Sequence, residues 1–191
     1  MIKKKILILT DDMPWGHRSI ARAIYGGLKK KEKENNWQVE YAEVKAEIGV
    51  GRELYTFISR YSPKLNRLVT VVSGENAFRL MDMVAKDNLV RLKKVVKKVK
   101  PDLIICTFYY HSHSLAKWKK DENLNFDLWT VVADPWTVLE ASFIPGVDMS
   151  IVYDEVMEER AMDFGISEDK ILKTGWWVRK EMNDSKLKVE S

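Results

Sequence analysis

Apolar residues along this chain follow two rhythms. Short unbroken runs appear at 4–10 (KKILILT), 101–107 (PDLIICT), 126–134 (FDLWTVVAD), 148–154 (DMSIVYD) and 170–176 (KILKTGW), while 37–44 (WQVEYAEV) alternates. Unbroken apolar runs of this length predict strands covered on both faces. Between them apolar residues return every three or four positions, the helical period. Ile20, Ile24 and Leu28 mark one helix, closed by "NN". Leu54, Phe57, Ile58, Tyr61, Leu65, Leu68 and Val72 mark two short helices, or one kinked at Pro63. Residues 76–100 predict a long amphipathic helix, with Met81, Val84, Leu89, Leu92, Val96 and Val99 on one side and lysines on the other. "SLAKWKK" and "EVMEERAMDFG" supply two more, the latter stopped by Gly165. Strand and helix alternate throughout, so the expected fold class is α/β with a doubly wound parallel sheet. Residues 1–180 read as one domain and 181–191 as a polar tail or the start of a linker.

Composition narrows the setting. The chain has 191 residues, 46% hydrophobic and 31% charged, with net charge +4 and a pI near 9.0. That surface leans basic without a nucleic-acid-binding tail, and no nucleic-acid partner is expected. Cys106 is the single cysteine, so no intrachain disulfide forms and a reducing compartment fits. The apolar run after "MIKKK" meets two aspartates after four residues, too soon for a signal-peptide core, and no stretch approaches a membrane span. The expectation is a cytoplasmic protein, soluble or peripheral at the inner face of a membrane.

Chemistry collects where the predicted strands end. In an open α/β sheet, ligands bind outside the carboxyl ends of the strands. After the first run come Asp11, Asp12, Trp15, Gly16 and His17; after the "DLIICT" run, Phe108, Tyr109, Tyr110, His111 and His113; after "WTVV", Asp134 and Trp136; after "KILKT", Gly175, Trp176 and Trp177. All three histidines fall in this set. Each residue also has a plainer reading. Asp11 or Asp12 can cap the next helix, Trp176 and Trp177 can be packing, and the lysines of 86–100 can be a solvated face. His111-x-His113 lacks a third ligand at a zinc spacing, so neither a metal nor a cofactor is expected.

Two familiar openings are excluded. A receiver domain starts with a strand ending in an acidic pair, but needs a phospho-accepting Asp some forty residues on, where this chain has none at a strand end. A dinucleotide domain needs G-x-G-x-x-G, and "MPWGHRSIA" has one glycine.

A third pattern fits in order and spacing over most of residues 3–179: "WGHRSIARAI", then "KPDLIICT", then "VVADPWTV", then "VDMSIVYDEVMEERAMDFGISEDKILKTGWWVR". It resembles the N-terminal domain of monogalactosyldiacylglycerol synthases and processive diacylglycerol glucosyltransferases, glycosyltransferases of the GT-B type. The resemblance implies a Rossmann-like domain that receives a lipid acceptor such as diacylglycerol, facing a second domain that holds a UDP-sugar. It implies that His17 lies by the acceptor hydroxyl and donor phosphates and acts with Asp134 in catalysis. Asp11, Asp12, Trp15, Gly16, Tyr109, His111, Trp136 and Trp176 are then expected to line the substrates. A bilayer contact is expected from Tyr55, Phe57 and Tyr61 together with Lys93, Lys94 and Lys97.

The chain departs from that family at Pro14, where a second glycine is usual, at Ala133, where threonine precedes the aspartate, and at Trp177, where the closing motif has proline. No histidine follows Asp134 within a dozen residues. The sequence stops where a linker to the donor domain would begin, so the 191 residues alone are expected not to transfer sugar. The alternative reading is a non-catalytic binding or partner subunit that reuses the fold.

Overall fold

A computed structural model describes residues 3–13, 16–48, 52–62, 64–65, 76–134 and 140–178. Among these, six strands form one parallel sheet in the order β2-β1-β3-β4-β5-β6. The strands are β1 (Lys4–Asp11), β2 (Trp37–Val44), β3 (Leu103–Cys106), β4 (Asp127–Val131), β5 (Met149–Val152) and β6 (Ile171–Lys173). The helices are α1 (Gly16–Lys30), α2 (Arg52–Tyr61), α3 (Ala77–Val99), α4 (Tyr109–Asp121) and α5 (Glu155–Asp163). The expected fold class holds: this is a doubly wound, Rossmann-like α/β sheet.

The faces follow from the order of connections. From β1 the chain steps through α1 to β2 on one side; from β2 it crosses back over β1 through α3 to β3. Right-handed crossovers therefore put α1 and α3 on opposite faces. Side chains alternate along β1 accordingly. Leu7 and Leu9 join Ile104, Cys106 and Leu128 under Leu92 and Val96 of α3 and Leu115 of α4. Ile6 and Ile8 join Ile105, Val131 and Ile151 with Ile20 and Ala21 of α1. Unbroken apolar runs are thus what a strand needs when both its faces are buried. Burial also pushes the Cys106 thiol up to about 11, which makes it an unreactive packing group.

Element ends obey local chemistry. Asp154, in extended backbone, accepts a hydrogen bond from the N–H of Met157 at 2.9 Å and caps α5. Asp154→Ala is expected to lower stability by about 1 kcal/mol, seen as a lower urea midpoint with an unchanged slope. Gly165, at φ +84°, ends the same helix in the left-handed region, as the sequence predicts. The chief difference lies at α4, which starts at Tyr109 rather than in "SLAKWKK". Its flanking residue is Phe108, which makes no side-chain capping bond, so no polar signature marks the start. Pro63 and residues 66–75 lie outside the described residues.

Candidate active site

The carboxyl ends of β1, β3, β4 and β5 surround the start of α1. β1 ends in Thr10 and Asp11, both fully buried. The Asp11 carboxylate accepts from the Met13 N–H at 3.2 Å, which bends the chain away from the strand. Asp12 is half-buried, and its carbonyl accepts from the Arg18 guanidinium at 3.4 Å. Gly16 then opens α1; among the described residues, a Cβ there would meet nothing within 4 Å.

His17 occupies the second position of α1 and is 7% exposed. Its Nδ1 lies 2.8 Å from the Thr107 carbonyl oxygen. A carbonyl can only accept, so Nδ1 carries the hydrogen and neutral His17 leaves Nε2 unprotonated. Thr107 is held in turn: its hydroxyl lies 2.9 Å from that of Thr10 and 3.1 Å from the His17 carbonyl. The edge of the imidazole meets the Phe108 ring, with centroids 5.3 Å apart. On the open side, Nε2 stands 3.8 Å from an Asp134 carboxylate oxygen. Asp134 itself is 42% exposed, so this pair sits at the rim and not in the core.

Tyr109 and Tyr153 complete the rim. Tyr109 packs on Phe108 and Tyr110. Burial first, then the neighbouring Tyr110 and the Asp134 carboxylate, hold its phenol well above the usual range. The Tyr153 hydroxyl reaches the Asp134 carbonyl at 3.5 Å, and Trp176 stands edge-on to the Tyr153 ring at 4.6 Å. Trp176 is half exposed.

The structure thus brings His17 within 3.8 Å of Asp134, with Gly16 beside His17 at the helix start. Tyr109 packs on the Phe108 ring that His17 meets and Trp176 packs on Tyr153, whereas Asp11 is fully buried. Trp15 and Trp136, also expected at the site, lie outside the described residues, as does Pro14. His111 is placed differently. It is wholly buried, with Nε2 2.9 Å from the Val44 carbonyl and its ring edge-on to Phe108. It ties α4 to the end of β2. Burial lowers its pKa to about 4, so the ring stays neutral until the pH falls that far. His113 turns the other way, 3.0 Å from Asp82 of α3, so the two histidines diverge.

The expected bilayer set also divides. Leu54, Phe57 and Tyr61 are exposed along one stripe of α2, but Tyr55 turns inward against the core, because a helix presents residues three and four apart on one face. Lys93 of α3 is bound to Glu122 at 2.7 Å and lies over the Trp118 ring, whereas Lys94 and Lys97 remain in solvent. Thr107 and Tyr153 are the structural members that the strand-end pattern alone does not single out. Thr107 is visible only as the polar end of "IICT", and its key atom is a backbone oxygen.

The model of the monogalactosyldiacylglycerol (MGDG) synthase family matches residues 17–178. The chain belongs to the MGDG synthase family. That match runs from His17 to Val178, so it includes His17, Asp134 and Trp176 but begins after Asp11, Asp12 and Gly16. Among solved structures, the apo form of a lipopolysaccharide outer core galactosyltransferase, WaaB, is similar over 88% of this chain, with 15% identity and a TM-score of 0.50. The likeness in fold covers 44% of that protein, so the chain spans less than half its length. A comparison with curated proteins gave no match. The MGDG synthase family member described here is therefore built like one Rossmann-like half of a GT-B glycosyltransferase.

Proposed function

We propose that this domain is the acceptor-side half of an enzyme that transfers a hexose from a UDP-sugar to the hydroxyl of a lipid such as diacylglycerol. The observation that carries this reading is the fixed tautomer of His17. With Nδ1–H committed to Thr107, Nε2 is the basic nitrogen and points to the rim beside Asp134. The acceptor O–H gives its proton to Nε2 as its oxygen bonds to the anomeric carbon; the bond from that carbon to the diphosphate breaks and UDP leaves. The Asp134 carboxylate stabilises the imidazolium so formed. The start of α1, at Gly16, favours the negative charge on the departing diphosphate.

The donor site belongs to a second half in this reading. The 191 residues, incubated with UDP-galactose and dioleoylglycerol, are expected to form no glycolipid, and adding a donor-binding half restores transfer. Turnover by the isolated chain would overturn the division of labour.

The membrane contact is assigned to α2. Leu54, Phe57 and Tyr61 form an exposed apolar stripe, with Phe57 and Tyr61 in ring contact at 5.1 Å and the Arg60 guanidinium over Tyr61. A stripe with a cation beside it suits the headgroup region of an anionic bilayer. Phe57→Ser is expected to weaken co-sedimentation with phosphatidylglycerol vesicles about tenfold, the order expected for removing one large apolar anchor. Equal binding by the variant would remove α2 from the contact. Among the described residues no helix is long and apolar enough to cross a membrane.

A further inference from the structure

His17 and Thr107 hold each other by two hydrogen bonds that run in opposite directions. The His17 Nδ1–H donates to the Thr107 carbonyl at 2.8 Å, and the Thr107 hydroxyl lies 3.1 Å from the His17 carbonyl. The side chain of each residue thus binds the backbone of the other, across 90 residues of sequence. A third contact extends this clamp, because the hydroxyls of Thr107 and Thr10 are 2.9 Å apart. Both threonines are anchored in the sheet. Thr10 belongs to β1, and the Thr107 N–H donates to the Leu9 carbonyl at 3.0 Å just past the end of β3.

Burial fixes the direction of these bonds. Thr10 and Thr107 are both fully buried, so water does not stand in for a missing partner. A hydroxyl carries one hydrogen and a carbonyl none. All three bonds form together only if Thr107 gives its hydrogen to the His17 carbonyl and Thr10 gives its own to Thr107. The result is a one-way chain from β1 through Thr107 to the first turn of α1.

That chain secures the Thr107 carbonyl opposite Nδ1. A neutral imidazole can carry its hydrogen on either nitrogen, and the partner of one nitrogen decides the state of the other. A half-turn of the ring about χ2 would set a C–H edge against the carbonyl and take Nε2 off the Asp134 side. The Phe108 ring packs against the imidazole but has no polar atom with which to choose between these states. We infer that Thr107 and Thr10 are positioning residues for His17, their hydroxyls holding the Thr107 carbonyl to Nδ1–H and so keeping Nε2 unprotonated beside Asp134. This rests on the reading of His17 as the acceptor's base and adds what sets that base.

Ring-nitrogen NMR of the 15N-labelled chain tests it at about pH 8, above the usual histidine range, with His17→Gln identifying the His17 signals. Wild type is expected to show Nδ1 protonated and Nε2 bare. The decisive protein is the double variant Thr10→Val with Thr107→Val. Both members of the pair then become apolar at similar shape, and the urea midpoint is expected to stay near wild type. Its tautomer ratio is expected to shift about fivefold toward Nε2–H, the order of one net hydrogen bond. With the donor-binding half added, kcat is expected to fall about tenfold at unchanged KM, within the 10² that a 1 Å misplacement can cost. Thr107→Ser keeps a hydroxyl and is expected to match wild type in both readouts. An unchanged ratio in the double variant overturns the clamp, whatever kcat does, because no effect then passes through His17. A shifted ratio with unchanged kcat leaves the clamp and overturns the base reading. Wild type protonated at Nε2 overturns both. Should the double variant not fold, Thr10→Val alone, which removes only the third bond, is expected to shift the ratio in the same direction, and an unchanged ratio there overturns the clamp.

Discussion

His17→Ala is expected to lower hexose transfer to the lipid, measured with the donor-binding half present, by about 10²–10⁴-fold, the usual contribution of a positioned general base. The loss should fall on kcat and on kcat/KM together, because the proton is moved only in the transition state. Lipid binding should hardly change, since the side chain is 7% exposed and offers the acceptor a single nitrogen. His17→Gln gives a sharper comparison. It can restore a hydrogen bond to the Thr107 carbonyl, and with it the fold, but it offers no base at the rim. If His17→Gln retains wild-type turnover, His17 is a structural tie and the base must be sought at Asp134. A proton taken by Asp134 directly would leave His17→Gln active and Asp134→Asn inactive, so the pair of variants separates the two roles.

The second large effect is on stability and depends on pH through His111. Burial lowers its pKa from 6.5 to about 4 in the folded chain, while in the unfolded chain it stays near 6.5. Below pH 6.5 the unfolded state therefore binds a proton that the folded state refuses. His111 thus contributes stability that is fully present above pH 6.5 and is lost as the pH falls toward 4. The full loss approaches about 3 kcal/mol, and about 2 kcal/mol of it should have appeared by pH 5. Urea unfolding at pH 7.5 and pH 5 measures this. His111→Gln, which can still donate to the Val44 carbonyl, should be destabilised much less by the same pH change. An identical pH response in the two proteins would show that other groups carry it.

These two histidines also show how far sequence reading reaches. The strands were legible because each is an unbroken apolar run or a clean alternation, and every one of the six appears in the structure within a few residues of its expected place. Polar and aromatic residues collect at strand ends in the sequence, and the structure brings two of them, His17 and Asp134, within 3.8 Å of each other. What one sequence does not carry is direction. His17 and His111 look equivalent there, yet one faces the rim and the other is sealed beneath it. The difference is set by the helix that each one opens: α4 begins directly at Tyr109, so His111 falls on its inward face toward β2. No polar cap announces that early start, and "YYHSH" therefore reads as loop. The partner that orients His17 is a backbone oxygen, which has no letter of its own. Tyr55 illustrates the same limit: adjacent to exposed residues in sequence, it belongs to the opposite face of α2.

The position of β1 in the sheet has a consequence for synthesis of the chain. β1 is an interior strand, flanked by β2 and β3, and Ile6 pairs with Leu103 across it. The N–H of Lys5 finds its acceptor in the Asp102 carboxylate, 97 residues further on. At ribosomal rates of about 5–20 residues per second, the strand "KKILILT" must wait roughly 5–20 seconds for that neighbour to be made. During this interval β1, α1 and β2 can pair among themselves, but one edge of the most apolar strand stays unpaired. The nascent chain is thus most prone to aggregate before β3 emerges, and the three lysines just ahead of "ILIL" are placed to keep that edge in solution.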